Sequence, residues 1–183
     1  MEDHKKSVHI TIDDGPSRIS TEPIVKILKA HSAKATFFLL GHQIRQYPEK
    51  KRLLDEYQLA NHGYYHLNNW GLSFNKQCEN ILRVEREFPD LEKHYRPPYG
   101  KITLSQIICC WGKRKIHLWT KMTYDFMVTK TQRCLWLKLK KALKKDKCVL
   151  VFHDNEKSEK HTRWLLNRTL LELEQLSKET AVY

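Results

Sequence analysis

Val8-His9-Ile10-Thr11-Ile12-Asp13-Asp14-Gly15-Pro16 is the stretch whose reading decides the fold. A five-residue apolar run reads as a buried strand, and Gly-Pro after the carboxylate pair ends it in a turn. Downstream, Glu22–Ala33 carries a helical pattern, with Thr21 as a plausible N-cap and Pro23 near its first turn. Ala35–Leu40 is a second apolar run, so the opening of the chain is strand, helix, strand.

The alternation continues. A broken helical region covers His42–Tyr57, interrupted by Pro48, and a short strand near Leu59–Asn61 precedes His62. Phe74–Phe88 reads as a helix opened by Ser73, His94–Arg96 as a short strand, Leu104–Trp111 as a helix and Ile116–Trp119 as a strand. Thr131–Lys144 is helical, Cys148–Phe152 a strand, His161–Ser177 a long helix and Ala181–Tyr183 a strand stub. Strands alternating with helices predict an α/β fold with a parallel sheet. The expected architecture is a distorted (β/α) barrel of about seven parallel strands with helices outside. The chemistry-bearing residues follow the strands, at the end where such barrels carry their sites. No linker, repeat or low-complexity segment divides residues 1–183, so one domain is expected.

Composition narrows the function classes. With 183 residues, 40% hydrophobic and 30% charged, the chain has the profile of a globular domain with its own core. No run approaches the roughly 18 apolar residues of a membrane span, so no integral membrane segment is expected. Met1–Lys6 has no apolar stretch behind it, which predicts a cytoplasmic protein, or an exported or cell-envelope one whose leader has been removed. Five cysteines in irregular spacing, none in a C-x-x-C pair, read as thiols of a reducing compartment. The net charge of +12 is densest at Lys138, Lys140, Lys141, Lys144, Lys145 and Lys147. Leu135, Leu137, Leu139 and Leu143 are interleaved with them, giving an amphipathic helix with a solvated basic face. No recognition motif accompanies that charge, so no nucleic-acid partner is expected.

Two adjacent carboxylates after a buried strand, Asp13 and Asp14, repel one another unless something positive stands beside them. A divalent cation would serve, and so would Arg96. His62 and His66 have the i, i+4 spacing that puts two imidazoles on one side of a helical turn, where they can grip one ion. Two histidines and one carboxylate with open positions suit a catalytic zinc site. The same set suits the facial triad of iron oxygenases, and spacing alone leaves both open.

Thr11-Ile12-Asp13-Asp14-Gly15-Pro16, Lys34-Ala35-Thr36-Phe37-Phe38, His62-Gly63-Tyr64-Tyr65-His66, Arg96-Pro97-Pro98-Tyr99-Gly100 and Leu150-Val151-Phe152-His153-Asp154 occur in this order. Together they resemble the polysaccharide deacetylases, the NodB-homology enzymes of carbohydrate esterase family 4. The resemblance implies a metal-dependent hydrolase that removes N-acetyl groups from N-acetylhexosamine units of a peptidoglycan- or chitin-like glycan. The alternatives are an O-acetyl esterase acting on a glycan such as acetylxylan, or a non-catalytic glycan-binding relative.

Carried over by motif, the resemblance implies that Asp14, His62 and His66 hold one divalent ion, zinc by default and cobalt or nickel as substitutes. Asp13 is then the base, His153 the acid, and Arg96 the group that orients Asp13. Asp125 is implied as the acidic partner of Arg96, and Asp154 as the residue that holds the His153 tautomer. Tyr99 offers its backbone N–H to the oxyanion, while Trp119 and Leu150 line an acetyl pocket. Trp70, just beyond His66, either stacks on a sugar or packs under its loop. Gly63 replaces the usual Ser or Thr, so the histidine loop needs another brace. Asn167-Arg168-Thr169 is a glycosylation sequon inside a predicted helix and is set aside.

Overall fold

The computed structural model describes residues 7–145, 147–176 and 179–183. Its strands are β1 (Ser7–Asp13), β2 (Thr36–Leu39), β3 (Gln58–Asn61), β4 (Glu92–Tyr95), β5 (Lys115–Ile116), β6 (Lys121–Met122), β7 (Lys147–His153) and β8 (Glu179–Ala181). Between them lie α1 (Thr21–Ala30), α2 (Gly41–Gln46), α3 (Pro48–Arg52), α4 (Phe74–Glu87), α5 (Leu104–Cys110), α6 (Gln132–Leu143) and α7 (Glu159–Gln175). All strand pairs are parallel, in the order β5-β4-β3-β2-β1-β7-β6. The short β8 pairs with the first half of β1 at Ser7–His9, below the stretch Thr11–Asp13 that pairs with β2. This is the expected arrangement of parallel strands and outer helices, curled into a half-barrel.

Strand alternation sorts the two faces of the sheet. Val8, Ile10 and Ile12 join Leu150, Phe152 and the apolar faces of α1, α6 and α7 in the main core. His9, Thr11 and Asp13 point the other way, into the concave interior. In α6, Leu135, Trp136, Leu139 and Leu143 are buried while Leu137 stays out, and Lys138, Lys141 and Lys144 form the solvated face.

Two boundaries differ from expectation for one reason. The predicted strand Ile116–Trp119 pairs only at Lys115–Ile116, and β6 was not anticipated. Between them the chain leaves one edge of the sheet and reaches the other. His117 N–H donates to Tyr95 O of β4 at 2.8 Å, and Thr120 N–H donates to Val149 O of β7 at 3.1 Å. Four residues thus bridge the open side of the half-barrel, too short a span to show a strand period. Thr21 is the first residue of α1 rather than its cap, because its Oγ1 is engaged by Ser17 and Asp154. Ser177, the predicted end of the last helix, lies outside the described residues.

Candidate functional site

Asp13 ends β1 and Asp14 follows it with φ 76°, a left-handed conformation uncommon for a residue with a Cβ. Such backbone strain clusters at functional sites. Here it turns the Asp14 carboxylate toward the loop after β3. Asp14 Oδ1 lies 3.6 Å from His62 Nε2 and 3.5 Å from His66 Nε2. Those separations are long for hydrogen bonds, and Asp14 Oδ1 is buried with no hydrogen-bond partner. They do match the edge of a tetrahedron of ligands each about 2.1 Å from one ion, roughly 3.4 Å. A buried acceptor without a donor, facing two imidazole nitrogens, is the signature of a cation seat. Asp14, His62 and His66 are the one such cluster among the described residues.

The histidine loop is not the helical turn that the spacing suggested. Gly63 has φ +91°, which breaks any helical course, and a methyl group there would sit 2.6 Å from Asn80 Nδ2. Asn80, on α4, supplies the brace that a hydroxyl after His62 would have given. It accepts from Tyr65 N–H at 2.8 Å and donates to Tyr65 O at 3.0 Å, while its own carbonyl accepts from Tyr64 N–H at 2.7 Å. Asn61 Oδ1 accepts from Gly63 N–H at 2.7 Å. His62 Nδ1 bonds Arg96 O at 2.8 Å, which leaves Nε2 as its ligating nitrogen. Asn155 donates to Asp14 Oδ2 at 2.8 Å and holds the second carboxylate oxygen. Burial raises the Asp14 carboxyl pKa, but His153, His62, His66 and the Asn155 bond together carry it below the ordinary range.

Two charge pairs flank the cluster. Arg96, fully buried at the end of β4, donates from Nη1 to Asp13 Oδ1 at 2.8 Å and to Thr11 Oγ1 at 2.7 Å. Its guanidinium lies over the Phe38 ring, 4.0 Å from the centroid. Removing either partner of a buried pair of this kind costs about 3–5 kcal/mol, because the other charge is left uncompensated. The second pair is His153 with Asp125. Nδ1 of His153 lies 2.6 Å from Asp125 Oδ1, and the backbone N–H of His153 donates to Oδ2 at 2.8 Å. Thr162 of α7 adds a third donor to Asp125, at 2.7 Å. Burial lowers the His153 pKa, yet the Asp125 carboxylate overrides it and pushes the imidazole up to about 9.

Three expectations are corrected by this geometry. Asp125 partners His153 and not Arg96, because β6 pairs with β7 and delivers Asp125 to the end of β7. Asp154 does not touch the His153 ring. Alternation turns it to the helix side, where it accepts from Ser17 at 2.9 Å and Thr21 at 2.6 Å, and burial pushes its carboxyl up to about 6. Leu150 is wholly buried in the helix-side core and is not among the residues that line the cavity beside Asp14, His62 and His66. Val151, of the same parity as His153, belongs to the inner face.

Asp13, Asp14, His62, His66 and His153 line one cavity of about 510 Å³, and Trp119, Met122 and Phe126 supply its apolar wall. Tyr99 is also on the wall, with φ +59° and its ring against His66 at 4.4 Å between centroids. Its turn is closed by Gly100 N–H to Pro97 O and Lys101 N–H to Pro98 O, and neither bond uses the Tyr99 N–H. Trp70 is not packed under its loop: it is 67% exposed, outside the cavity wall, with the Lys101 ammonium 5.8 Å from its ring centroid. Asn80, Asn155, Met122, Phe126 and Thr162 were not singled out from sequence. Alternation and the i+2 distance from His153 could have flagged Asn155, while the others depend on tertiary placement.

Comparison with known proteins identifies the family. The family model described as polysaccharide deacetylase matches residues 1–107. A peptidoglycan-N-acetylglucosamine deacetylase of Bacillus cereus is 36% identical over 110 residues, 57% of this chain and 40% of that one. A chitooligosaccharide deacetylase of Azorhizobium caulinodans is 35% identical over 109 residues, 53% of this chain and 50% of that one. The chain therefore spans half or less of the length of these relatives. Among solved structures, a peptidoglycan N-acetylglucosamine deacetylase bound to 4-naphthalen-1-yl-N-hydroxybenzamide superposes with a TM-score of 0.88 at 25% identity, covering 97% of this chain and 86% of that one. A family 4 carbohydrate esterase from Streptomyces lividans in complex with acetate gives 0.85 at 21% identity, covering 97% and 92%. A pseudoenzyme of the same family from Bacillus anthracis gives 0.83 at 20% identity, covering 96% and 63%, so fold likeness does not separate active from inactive relatives. With more than half of its length matched by the family model, and with the motifs gathered around one cavity, this chain belongs to the polysaccharide deacetylase family.

Proposed function

We propose that this chain is a metal-dependent hydrolase that removes N-acetyl groups from N-acetylhexosamine units of a peptidoglycan- or chitin-like glycan. The observation that carries the reading is the pair of opposed dyads, Asp13–Arg96 and His153–Asp125, on either side of the Asp14, His62 and His66 cluster. One dyad can take a proton and the other can give one, as amide hydrolysis requires. The relatives named for deacetylation of peptidoglycan and chitooligosaccharide support this substrate class.

Asp14, His62 and His66 would hold the divalent ion, with zinc suited to two imidazoles and a carboxylate. When bound, such an ion lowers the pKa of water to roughly 7 and polarises a carbonyl. Arg96 occupies Asp13 Oδ1, so Asp13 Oδ2 is the oxygen that accepts the proton of the attacking water. Asp125 occupies His153 Nδ1, so Nε2 is the nitrogen that protonates the departing amine. With its pKa raised to about 9, His153 carries that proton at neutral pH. The Tyr99 N–H is the backbone dipole for the developing oxyanion, a contribution of about 3–4 kcal/mol where such donors have been removed. Trp119, Met122 and Phe126 form the apolar wall for the acetyl methyl. Trp70, exposed beyond the cavity, offers a stacking face for a neighbouring sugar.

The test is acetate release from chitooligosaccharides and peptidoglycan fragments by the zinc-loaded protein, with and without chelator. Chelator-sensitive release from N-acetylated glycans is expected. Release from acetylxylan alone would move the assignment to an O-acetyl esterase. No release from any acetylated glycan with metal bound would make the chain a non-catalytic relative.

A further inference from the structure

The inner face of the half-barrel, behind the catalytic cavity, holds a cluster that the proposed chemistry leaves unused. Tyr183, two residues past β8, inserts its ring among His9, His117 and Phe38, at centroid distances of 5.0, 3.8 and 6.2 Å. His94 stands against His117 at 4.6 Å. Gln58 of β3 latches the Tyr183 backbone on both sides. It accepts from Tyr183 N–H at 3.0 Å and donates to Tyr183 O at 3.0 Å. The Tyr183 hydroxyl reaches Arg96 Nη2 at 3.3 Å.

Arg96 has five N–H donors to place in a buried site. Nη1 serves Thr11 and Asp13 through short bonds. The opposite side of the guanidinium is held less firmly, by the carbonyls of His117 and Leu118, each at 3.4 Å. Those carbonyls sit on the four-residue crossing that bridges the barrel, outside strand pairing. Tyr183, in contrast, is tied to β3 through Gln58 and to β1 through His9. His117 is held to β4 through its N–H to Tyr95 O, whereas Tyr183 is held to two strands and brings a side-chain acceptor to that side of Arg96.

We propose that Tyr183 is a positioning residue for the deacetylation reaction: its hydroxyl accepts from Arg96 Nη2 and fixes the guanidinium plane, so that Nη1 holds Asp13 in the orientation that accepts the proton. The inference rests on the hydrolytic reading given above. Burial raises the Tyr183 pKa, which keeps the phenol protonated and therefore neutral beside Arg96. The neighbouring imidazoles are shifted toward the neutral form as well. Burial, with His94 and Arg96 behind it, holds His117 down to about 4, and burial lowers His9 and His94. The phenol thus stands in a chamber of imidazoles held toward their neutral form. Buried nitrogens without partners, His9 Nδ1, His94 Nδ1 and His117 Nε2, surround it. Emptying the chamber would admit water to the back of Arg96.

The test compares wild-type protein with Tyr183→Phe and Tyr183→Ala. Tyr183→Phe should lower kcat about ten-fold, equal to about 1.4 kcal/mol of barrier. KM and zinc content should stay within two-fold of wild type. Exchange of the Arg96 guanidinium protons with solvent, followed by nitrogen-15 NMR on the resting protein, should accelerate in both variants. Tyr183→Ala should lose more activity and regain part of it with added 4-methylphenol. Unchanged kcat in Tyr183→Phe, or a loss matched by equal loss of zinc or rise of KM, would overturn the inference. So would unchanged Arg96 exchange. A wild-type protein that releases no acetate sinks the hydrolytic reading instead, and the exchange measurement still decides whether Tyr183 holds Arg96.

Discussion

Asp125→Asn separates the acid dyad from the rest of the site. The Asp125 carboxylate receives His153 Nδ1 at 2.6 Å, the His153 backbone N–H at 2.8 Å and the Thr162 hydroxyl at 2.7 Å. An amide cannot accept all three, and it removes the negative charge that outweighs burial. The His153 pKa then falls from about 9 to the ordinary 6.5 or lower. At pH 8 an imidazole of pKa 9 is about nine-tenths protonated, whereas one of pKa 6.5 is about 3% protonated, a roughly thirty-fold loss of the acid form. At pH 6 both are mostly protonated and the loss is small. The sign is therefore a variant whose defect grows with pH. A cation held by Asp14, His62 and His66 lowers both values, and the assay reads the difference between them. The measurement is kcat/KM for acetate release from pH 5.5 to 9.5, with the descending alkaline limb moving to lower pH in Asp125→Asn. An alkaline limb at the same pH in both proteins would refute the assignment of His153 as the acid and Asp125 as the source of its raised pKa.

Asp14→Ala should bind no stoichiometric zinc by atomic emission after dialysis, whereas Asp13→Asn should retain it and release no acetate. Activity persisting in Asp13→Asn would show that another group takes the proton. Gly100→Ala should destabilise the fold by roughly 2–4 kcal/mol, since φ there is +65° and a methyl group would overlap the Trp119 ring on the cavity wall; thermal melting reads it, and an unchanged Tm would contradict the packing. His31 at the end of α1 is buried enough to lose some basicity, but its bonds to Glu174 at 2.7 Å and Asn167 at 3.0 Å raise its pKa above 6.5. Its contribution to stability is complete below pH 6.5 and fades as pH rises through the folded value. Glu174 is half exposed, so the effect is at most about 1 kcal/mol. The Tm difference between wild type and Glu174→Gln should be larger at pH 5.5 than at pH 8.5, and a difference independent of pH would remove the link.

The ends of the long strands were legible because each couples an apolar run to a polar turn: β1 into Asp13-Asp14-Gly15-Pro16 and β7 into His153. The order of elements followed from the same alternation. What the sequence did not carry is which strand lies beside which. Arg96 and Asp125 are both charged residues that follow short strands, and nothing local says that one faces β1 and the other β7. β6 has two residues, too few for any hydrophobic period, yet its pairing of Lys121 with Leu150 and Met122 with Val151 decides the partner of His153. The misplacements of Leu150 and Asp154 are different in kind. Both are of opposite parity to His153 in an extended segment, so a strict period of two places them on the helix side without any knowledge of the fold.

Adjacency in the sheet also explains why base and acid need separate partners. Asp13 and His153 are cross-strand neighbours in the parallel pairing of β1 with β7. A carboxylate and an imidazole placed side by side would tend to bond one another and neutralise the site. Instead, Arg96 reaches Asp13 through the interior, and Asp125 reaches His153 from the sheet edge. Each neighbour is held by a partner arriving from an opposite direction, which leaves Asp13 Oδ2 and His153 Nε2 uncommitted. Chains that share this sheet but lose Arg96 should keep the cation seat while losing proton transfer to Asp13. That outcome is expected of Arg96→Met if it folds: zinc bound, cavity intact and turnover gone.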